Sequence, residues 1–268
     1  MLKSKIRKLV NKYGYNIIRS SPEEDLNVDT SLTRYKDKHA GERCVIIGNG
    51  PSLIMGDLEK LNDVITFASN KIYLAFDETD WRPTYYTVED FCVAENNSDK
   101  INELEIHRIL PHNLREILTP TDKTTYITYL GDPTSKEPHY TPMFSKDLVG
   151  QGIYGGYSVV YMQMQLAYYM GFEKVYLIGM DHSFKIPERY SKHHVYGEVL
   201  ISNGDINHFH PDYRNQGETW SMPQLDKMET SFYKARQIFD EAGRRIYNAT
   251  RGGHLEIFDR ISFEDLFS

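Results

Sequence analysis

The sequence predicts an α/β fold: a doubly wound, mostly parallel, Rossmann-like sheet with a lid-like insertion near residues 180–223. Three observations predict it. Cys44-Val45-Ile46-Ile47 is an unbroken apolar run, as a strand covered on both faces requires. It leads directly into a glycine turn, Gly48-Asn49-Gly50-Pro51-Ser52. From there to the end of the chain, strand-like and helix-like runs alternate, which is the pattern of βαβ units.

The elements follow in order. A strand over 43–47 leads to a helix over 52–61, with Ser52 as its cap and Leu53, Ile54, Leu58 and Leu61 on its buried side. A strand over 64–69 leads to a helical segment near 71–78. Trp81-Arg82-Pro83 turns the chain into a strand over 84–89. The segment 98–118 has no dominant period. A strand over 124–129 precedes a Pro/Gly-rich loop over 131–153. Gly155-Gly156 opens a helix that runs to Met170 and stops at Gly171. Lys174 to Ile178 form the next strand. Residues 180–223 lack periodicity, and a loop that long in a compact domain is a lid or a functional segment. A helix over 224–242 places Leu225, Met228, Phe232, Ala235 and Phe239 on one stripe and ends at Gly243. A strand over 245–249 and a short tail close the chain.

Three regions emerge. Residues 1–20 hold Lys3, Lys5, Arg7, Lys8, Lys12 and Arg19, and no acid precedes Glu23. Leu2, Ile6, Leu9, Val10, Tyr13 and Ile17 recur at helical spacing there. Such a basic amphipathic helix suits an anionic membrane surface, and equally suits packing on the domain or on a partner subunit. Residues 21–42 read as a linker, and 43–268 as a nucleotide-binding catalytic domain. The net charge of −7 speaks against general nucleic-acid binding. No run approaches 18 apolar residues, so no spanning helix is expected. With no secretory leader, the expected location is the cytoplasm, peripheral to the inner face of the membrane. Cys44 and Cys92 sit in apolar contexts and read as reduced core thiols.

In doubly wound sheets, ligands bind beyond the carboxyl ends of the strands. Those ends carry Gly48-Asn49-Gly50, Asn70, Glu89-Asp90 and Gly179-Met180-Asp181-His182, and they are expected to converge. Gly48 and Gly50 permit close approach of a ligand, and a helix starting at Ser52 offers free N–H groups to a phosphate. A tight turn that binds nothing has the same local pattern. The dinucleotide fingerprint is incomplete, because Leu53 holds the third glycine position; a Gly-Lys-Ser/Thr phosphate loop is absent. Asn49 and Asn70 each donate and accept, which suits a sugar or a base edge. Glu89, Asp90 and Asp181 are carboxylates that with a phosphate ligand would hold Mg²⁺. The histidines of 180–223 do not fall at familiar metal spacings, so an acid–base role is expected of them instead. His208 and His210 are two apart and in an extended segment would face one side. His210 is favoured as the base because Pro211 restrains its backbone. His182 is expected to point away from the site that Asp181 faces.

Gly48-Asn49-Gly50-Pro51-Ser52-Leu53, Gly155-Gly156-Tyr157-Ser158 and Leu177-Ile178-Gly179-Met180-Asp181-His182-Ser183 resemble two related groups. One is the bacterial sialyltransferase family that uses CMP-activated sugars. The other, the MptE-like domain of archaeal 6-hydroxymethylpterin diphosphokinases and flagellin-glycosylating motility accessory factors, is the nearer. That resemblance extends through Asn207-His208-Phe209-His210-Pro211-Asp212-Tyr213 and Ile246-Tyr247-Asn248-Ala249-Thr250, covering roughly 43–267. It implies nucleotide contacts at Asn49, Asn70, Ser158 and Asp181, a phosphate contact at Tyr190, and a catalytic histidine at His210 or His208. Where the sialyltransferases carry Asn after the third strand, this chain has Glu89-Asp90, which favours metal-assisted phosphate chemistry.

The expectation is a glycosyltransferase in bacterial surface glycan assembly. It takes a CMP-linked, sialic-acid-like donor and a glycan or small-alcohol acceptor, and requires no cofactor. The alternative is Mg²⁺-dependent pyrophosphate transfer from ATP to a pterin-like alcohol, with Mg²⁺ on Asp90 and Asp181. A non-catalytic nucleotide-binding protein is the third reading.

Overall fold

The computed structural model describes residues 30–186, 189–193 and 197–267. The basic stretch 1–20 therefore lies outside the described residues. Among the described residues there are eleven strands: β1 (Arg43–Ile47), β2 (Ile65–Ser69), β3 (Tyr85–Thr87), β4 (Arg108–Pro111), β5 (Thr124–Ile127), β6 (Lys174–Ile178), β7 (Tyr190–His193), β8 (Gly197–Ile201), β9 (Thr219–Trp220), β10 (Arg245–Asn248) and β11 (Asp259–Arg260). Eight of them form one sheet in the order β11-β10-β6-β1-β2-β3-β4-β5, with every pairing parallel. Successive strands run outward from β1 to β5, and then the chain returns to place β6 on the other side of β1. The order reverses there, so the crevice expected of a doubly wound sheet opens where β1 and β6 end.

The apolar run of β1 shows why the sheet sits where it does. Side chains alternate across a strand. Cys44 and Ile46 enter the core layer beneath the long helices, while Val45 and Ile47 enter the opposite layer. Val175 and Leu177 of β6 divide from Tyr176 and Ile178 in the same way. A strand buried on both faces has no polar positions to spare, hence its uninterrupted apolar sequence.

Among the described residues, five α-helices flank the sheet: α1 (Met55–Glu59), α2 (Phe91–Asn96), α3 (Ser98–Asn102), α4 (Val159–Tyr169) and α5 (Leu225–Glu241). Three depart from the sequence pattern. The helix expected over 52–61 is only the five residues of α1; it begins at Met55, and Ile54 offers it no side-chain cap. The helix expected to open at Gly155 begins at Val159, capped by Ser158. The undivided stretch near 98–118 resolves into α3 and β4. Of the segment read as a linker, the part from Thr30 onward is packed: Leu32 and Tyr35 are buried in the core, and His39 N donates to Met170 O at 2.8 Å. The tail adds the eighth strand, β11.

The insertion after β6 is a structured element. β7, β8 and β9 form an antiparallel sheet. It is fastened to the main sheet by a largely buried ion pair, Lys71 Nζ to Glu218 Oε2 at 2.8 Å, and by Ser221 Oγ donating to Asp90 Oδ2 at 2.7 Å. Among the described residues, no helix is long and apolar enough to cross a membrane.

Candidate active site

Two joined chambers occupy the crevice. The smaller, about 130 Å³, lies where β1 and β6 end and is lined by the Gly48-Asn49-Gly50 turn, Asn70, the residues after β6, and the first residues of α4. The larger, about 480 Å³, is lined by Glu89, Asp90, Tyr129, Asp132, Arg214 and Lys227 among others, under the antiparallel sheet. Asn70, Ser158, Phe184 and His208 border both. The four strand ends therefore do converge.

The glycine turn is built differently from the phosphate cradle expected of it. Gly48 N donates to Ile178 O at 2.8 Å, Gly50 N to Gly179 O at 2.9 Å, and Leu53 N to Gly50 O at 3.1 Å. Ser52 gives both its N–H (3.2 Å) and its hydroxyl (2.7 Å) to Asp181 Oδ2. Five donors of the turn are thus spent within the protein, and a five-residue α1 carries no anion site. Ser52 is a brace to β6 rather than a helix cap. The turn offers acceptors instead. Asn49 Nδ2 donates to Ser69 O at 3.2 Å, which leaves Asn49 Oδ1 buried without a partner; Asn70 Oδ1, on a residue with φ 53°, is buried and unpartnered as well. Two unpaired carbonyl oxygens at one chamber call for a ligand rich in O–H or N–H groups.

His208 stands in the wall shared by the chambers. Its Nδ1 lies 2.8 Å from Asp205 Oδ2, and its ring stacks on Tyr213 with centroids 3.8 Å apart. Burial lowers its pKa to about 4, against the upward pull of Asp205, so the ring is neutral at neutral pH. The carboxylate fixes the tautomer: Nδ1–H donates to Asp205, and Nε2 carries the free lone pair. His210 does not border either chamber; its Nδ1 accepts from Asp212 N, and its Nε2 faces Glu78 at 3.9 Å. The two histidines do not share a face because residues 205–210 form a bend rather than an extended segment. Asp205 Oδ1 accepts the N–H groups of Asn207 and His208 and winds the chain there. The geometry thus moves the candidate base from His210 to His208. Tyr190 lies on the edge strand β7, 48% exposed, outside both chambers.

The carboxylates do not assemble a metal seat. Asp90 caps α2 through Val93 N at 3.1 Å and accepts from Ser221 with its other oxygen; Asp181 braces Ser52 from the smaller chamber. Among the described residues, no group of three or more His, Cys, Asp or Glu is arranged to hold a metal ion.

Glu89 is the group sequence reasoning undervalued. Tyr129 OH donates to Oε1 at 2.5 Å, and Oε2 is buried without a partner. Burial pushes its pKa up to about 8, opposed by the Tyr129 bond and reinforced by Asp132 and Asp90. A raised folded pKa means the neutral form stabilises the fold. That contribution is complete below the unfolded value near 4.5 and is lost as pH rises through 8. Urea unfolding should therefore show stability falling between pH 5 and pH 8 by on the order of a few kcal/mol. Glu89→Gln should flatten that slope, and an unchanged slope in the variant would assign the pH dependence elsewhere. Asp205, Asp132, Lys227 and Glu229 were also missed, each for want of a visible partner. Only the three-residue spacing of Asp205 and His208, typical of a side chain that closes a turn, was a local signal.

The family model described as 6-hydroxymethylpterin diphosphokinase MptE-like matches residues 22–187, more than half of the chain. The match includes the glycine turn and the end of β6, and it stops before Asp205, His208 and α5. No curated protein and no solved structure matches.

Proposed function

The chain belongs to the 6-hydroxymethylpterin diphosphokinase MptE-like family, and from that premise we propose that it is a transferase moving a group from a nucleotide-activated donor to a hydroxyl acceptor. The form favoured is a glycosyltransferase with a CMP-linked, sialic-acid-like donor, acting in bacterial surface glycan assembly. One observation carries this reading: His208, oriented by Asp205, borders both chambers. The nucleoside occupies the smaller chamber, its ribose hydroxyls or base amino group meeting Asn49 Oδ1 and Asn70 Oδ1. The acceptor lies in the larger one among Tyr129, Tyr157 and Trp220, whose rings suit the C–H faces of a sugar.

In the reaction, the acceptor oxygen forms a bond to the anomeric carbon as the bond from that carbon to the phosphate oxygen breaks. CMP leaves with the electron pair, and the acceptor proton passes to His208 Nε2. A base with a pKa near 4 takes that proton late, once bond formation has made the hydroxyl acidic. Asp205 then faces the imidazolium and stabilises it.

A second reading, pyrophosphate transfer from ATP to a pterin-like alcohol, is favoured by the family description itself. A thermal-shift panel of CMP, CDP, UDP, GDP, AMP and ATP, each with and without Mg²⁺, separates the two. At a hundredfold excess over Kd the true ligand should stabilise the protein by about 2.7 kcal/mol. A shift with CMP in the absence of metal supports sugar transfer. A shift with ATP that needs Mg²⁺ transfers the assignment to the diphosphokinase reading. No shift with any nucleotide overturns both.

A further inference from the structure

We propose that His182, backed by Glu229, and the amino end of α4 together form the seat for the nucleotide's phosphate in the smaller chamber. The natural ligand rests on the nucleotide reading above; the seat itself is argued from this chain alone.

The placement of His182 is a consequence of how the chain leaves β6. Gly179 at φ 66° and His182 at φ 51° fold that segment back on itself, so the alternation of a strand no longer applies. The 250–254 loop pins it: Thr250 Oγ1 accepts from Met180 N at 3.1 Å, and His254 N donates to Asp181 O at 2.9 Å. Gly253 packs so closely that a Cβ there would lie 2.9 Å from Asp181 Cα. Asp181 and His182 therefore both border the chamber, against the expectation that His182 would turn away.

The imidazole is held from behind. Its Nε2 lies 2.9 Å from Glu229 Oε1 on α5, and its side chain is 3% exposed. Nδ1 is fully buried and has no partner among the described residues. Leaving such an atom unpaired is costly, and a ligand removes that cost. The second observation is α4. It is eleven residues long, and Ser158, Val159 and Val160 at its start border the same chamber as His182. The dipole of a helix of that length favours an anion at this end. Among the described residues no Lys or Arg borders the smaller chamber, and the Asp181 carboxyl is committed to Ser52. A phosphate there has the helix terminus and His182 as its sources of positive charge. With Glu229 on one ring nitrogen and a phosphate oxygen on the other, both nitrogens donate, and the imidazolium bridges two anions.

The test uses the full chain with two variants. His182→Asn keeps a residue that tolerates positive φ, and Glu229→Gln alters a side chain that is 50% exposed. Calorimetric titrations with CMP and with cytidine give the phosphate contribution as a ratio of affinities. In the wild type that ratio should be about tenfold or more, the strength of one charge-assisted hydrogen bond. His182→Asn should bring it close to unity with cytidine affinity unchanged, and Glu229→Gln should lower it partway. A full ratio in His182→Asn, or an equal loss for cytidine, overturns the seat. A parallel thermal-shift series with inorganic pyrophosphate separates the two proposals. If no nucleotide binds but pyrophosphate stabilises the wild type and not His182→Asn, the seat stands and the nucleotide reading falls. If pyrophosphate acts alike on both proteins, the seat falls.

Discussion

Replacing His208 with Ala should lower turnover by about 10²- to 10⁴-fold while leaving nucleotide affinity nearly unchanged. The expectation follows from position: the ring borders both chambers, and Asp205 holds its Nδ1 at 2.8 Å, which leaves Nε2 with the free lone pair. His208→Ala also removes the ring stacked on Tyr213, so His208→Gln is the better-packed companion. The two should lose similar activity if the lost function is proton transfer. Asp205→Asn should cost about 10²-fold by releasing the tautomer. His210→Ala should retain turnover close to wild type, because that ring lies outside both chambers. The pH profile carries independent information. With its pKa lowered to about 4, His208 stays neutral through the acid range, so kcat/KM should show no loss from this group until pH approaches 4. Full activity in His208→Ala, or collapse in His210→Ala, would return the role to the loop's other histidine.

Gly50→Val should destabilise the fold rather than merely block a ligand. A Cβ at Gly50 would fall on Asp181 Oδ2 and 2.7 Å from Gly179 O, and a Cβ at Gly48 would fall 2.6 Å from Met180 Sδ. The turns after β1 and β6 interlock backbone to backbone, so there is no room to absorb a side chain. Overpacking of this kind costs about 1–3 kcal/mol, and here a Ser52–Asp181 hydrogen bond goes with it. For a chain of this size that is a drop in Tm of roughly 2–4 °C per kcal/mol. Gly50→Ala should show a smaller loss of the same kind. Adding Asp181→Ala to Gly50→Val should recover only part, since the Gly179 carbonyl remains in place. A wild-type melting curve for Gly50→Val would mean that the interlock is wrong.

The layered sheet, six of its eight strands and the convergence of its strand ends were legible in local sequence, because side-chain alternation and apolar burial are written into consecutive residues such as Cys44 to Ile47; β4 and the two-residue β11 were not. Helix starts were less so: Gly155-Gly156 and Ser52 look like openings, yet α4 waits until Val159 and α1 until Met55. The lid's three strands were missed because they are short and interrupted, and their pairing partners lie across the insertion. The site chemistry was decided by tertiary contacts. Ser52 bonds to Asp181, 129 residues away, and so becomes a brace instead of a cap. Glu89 stays neutral because the surrounding fold seals it from water, against the opposing bond from Tyr129, 40 residues on. His182 enters the chamber because the 250–254 loop bends the end of β6, and Glu229 then meets it from α5. Periodicity reports which face of an element is buried; a pKa, a tautomer or an unpaired atom depends on what the rest of the chain brings within 3 Å of it.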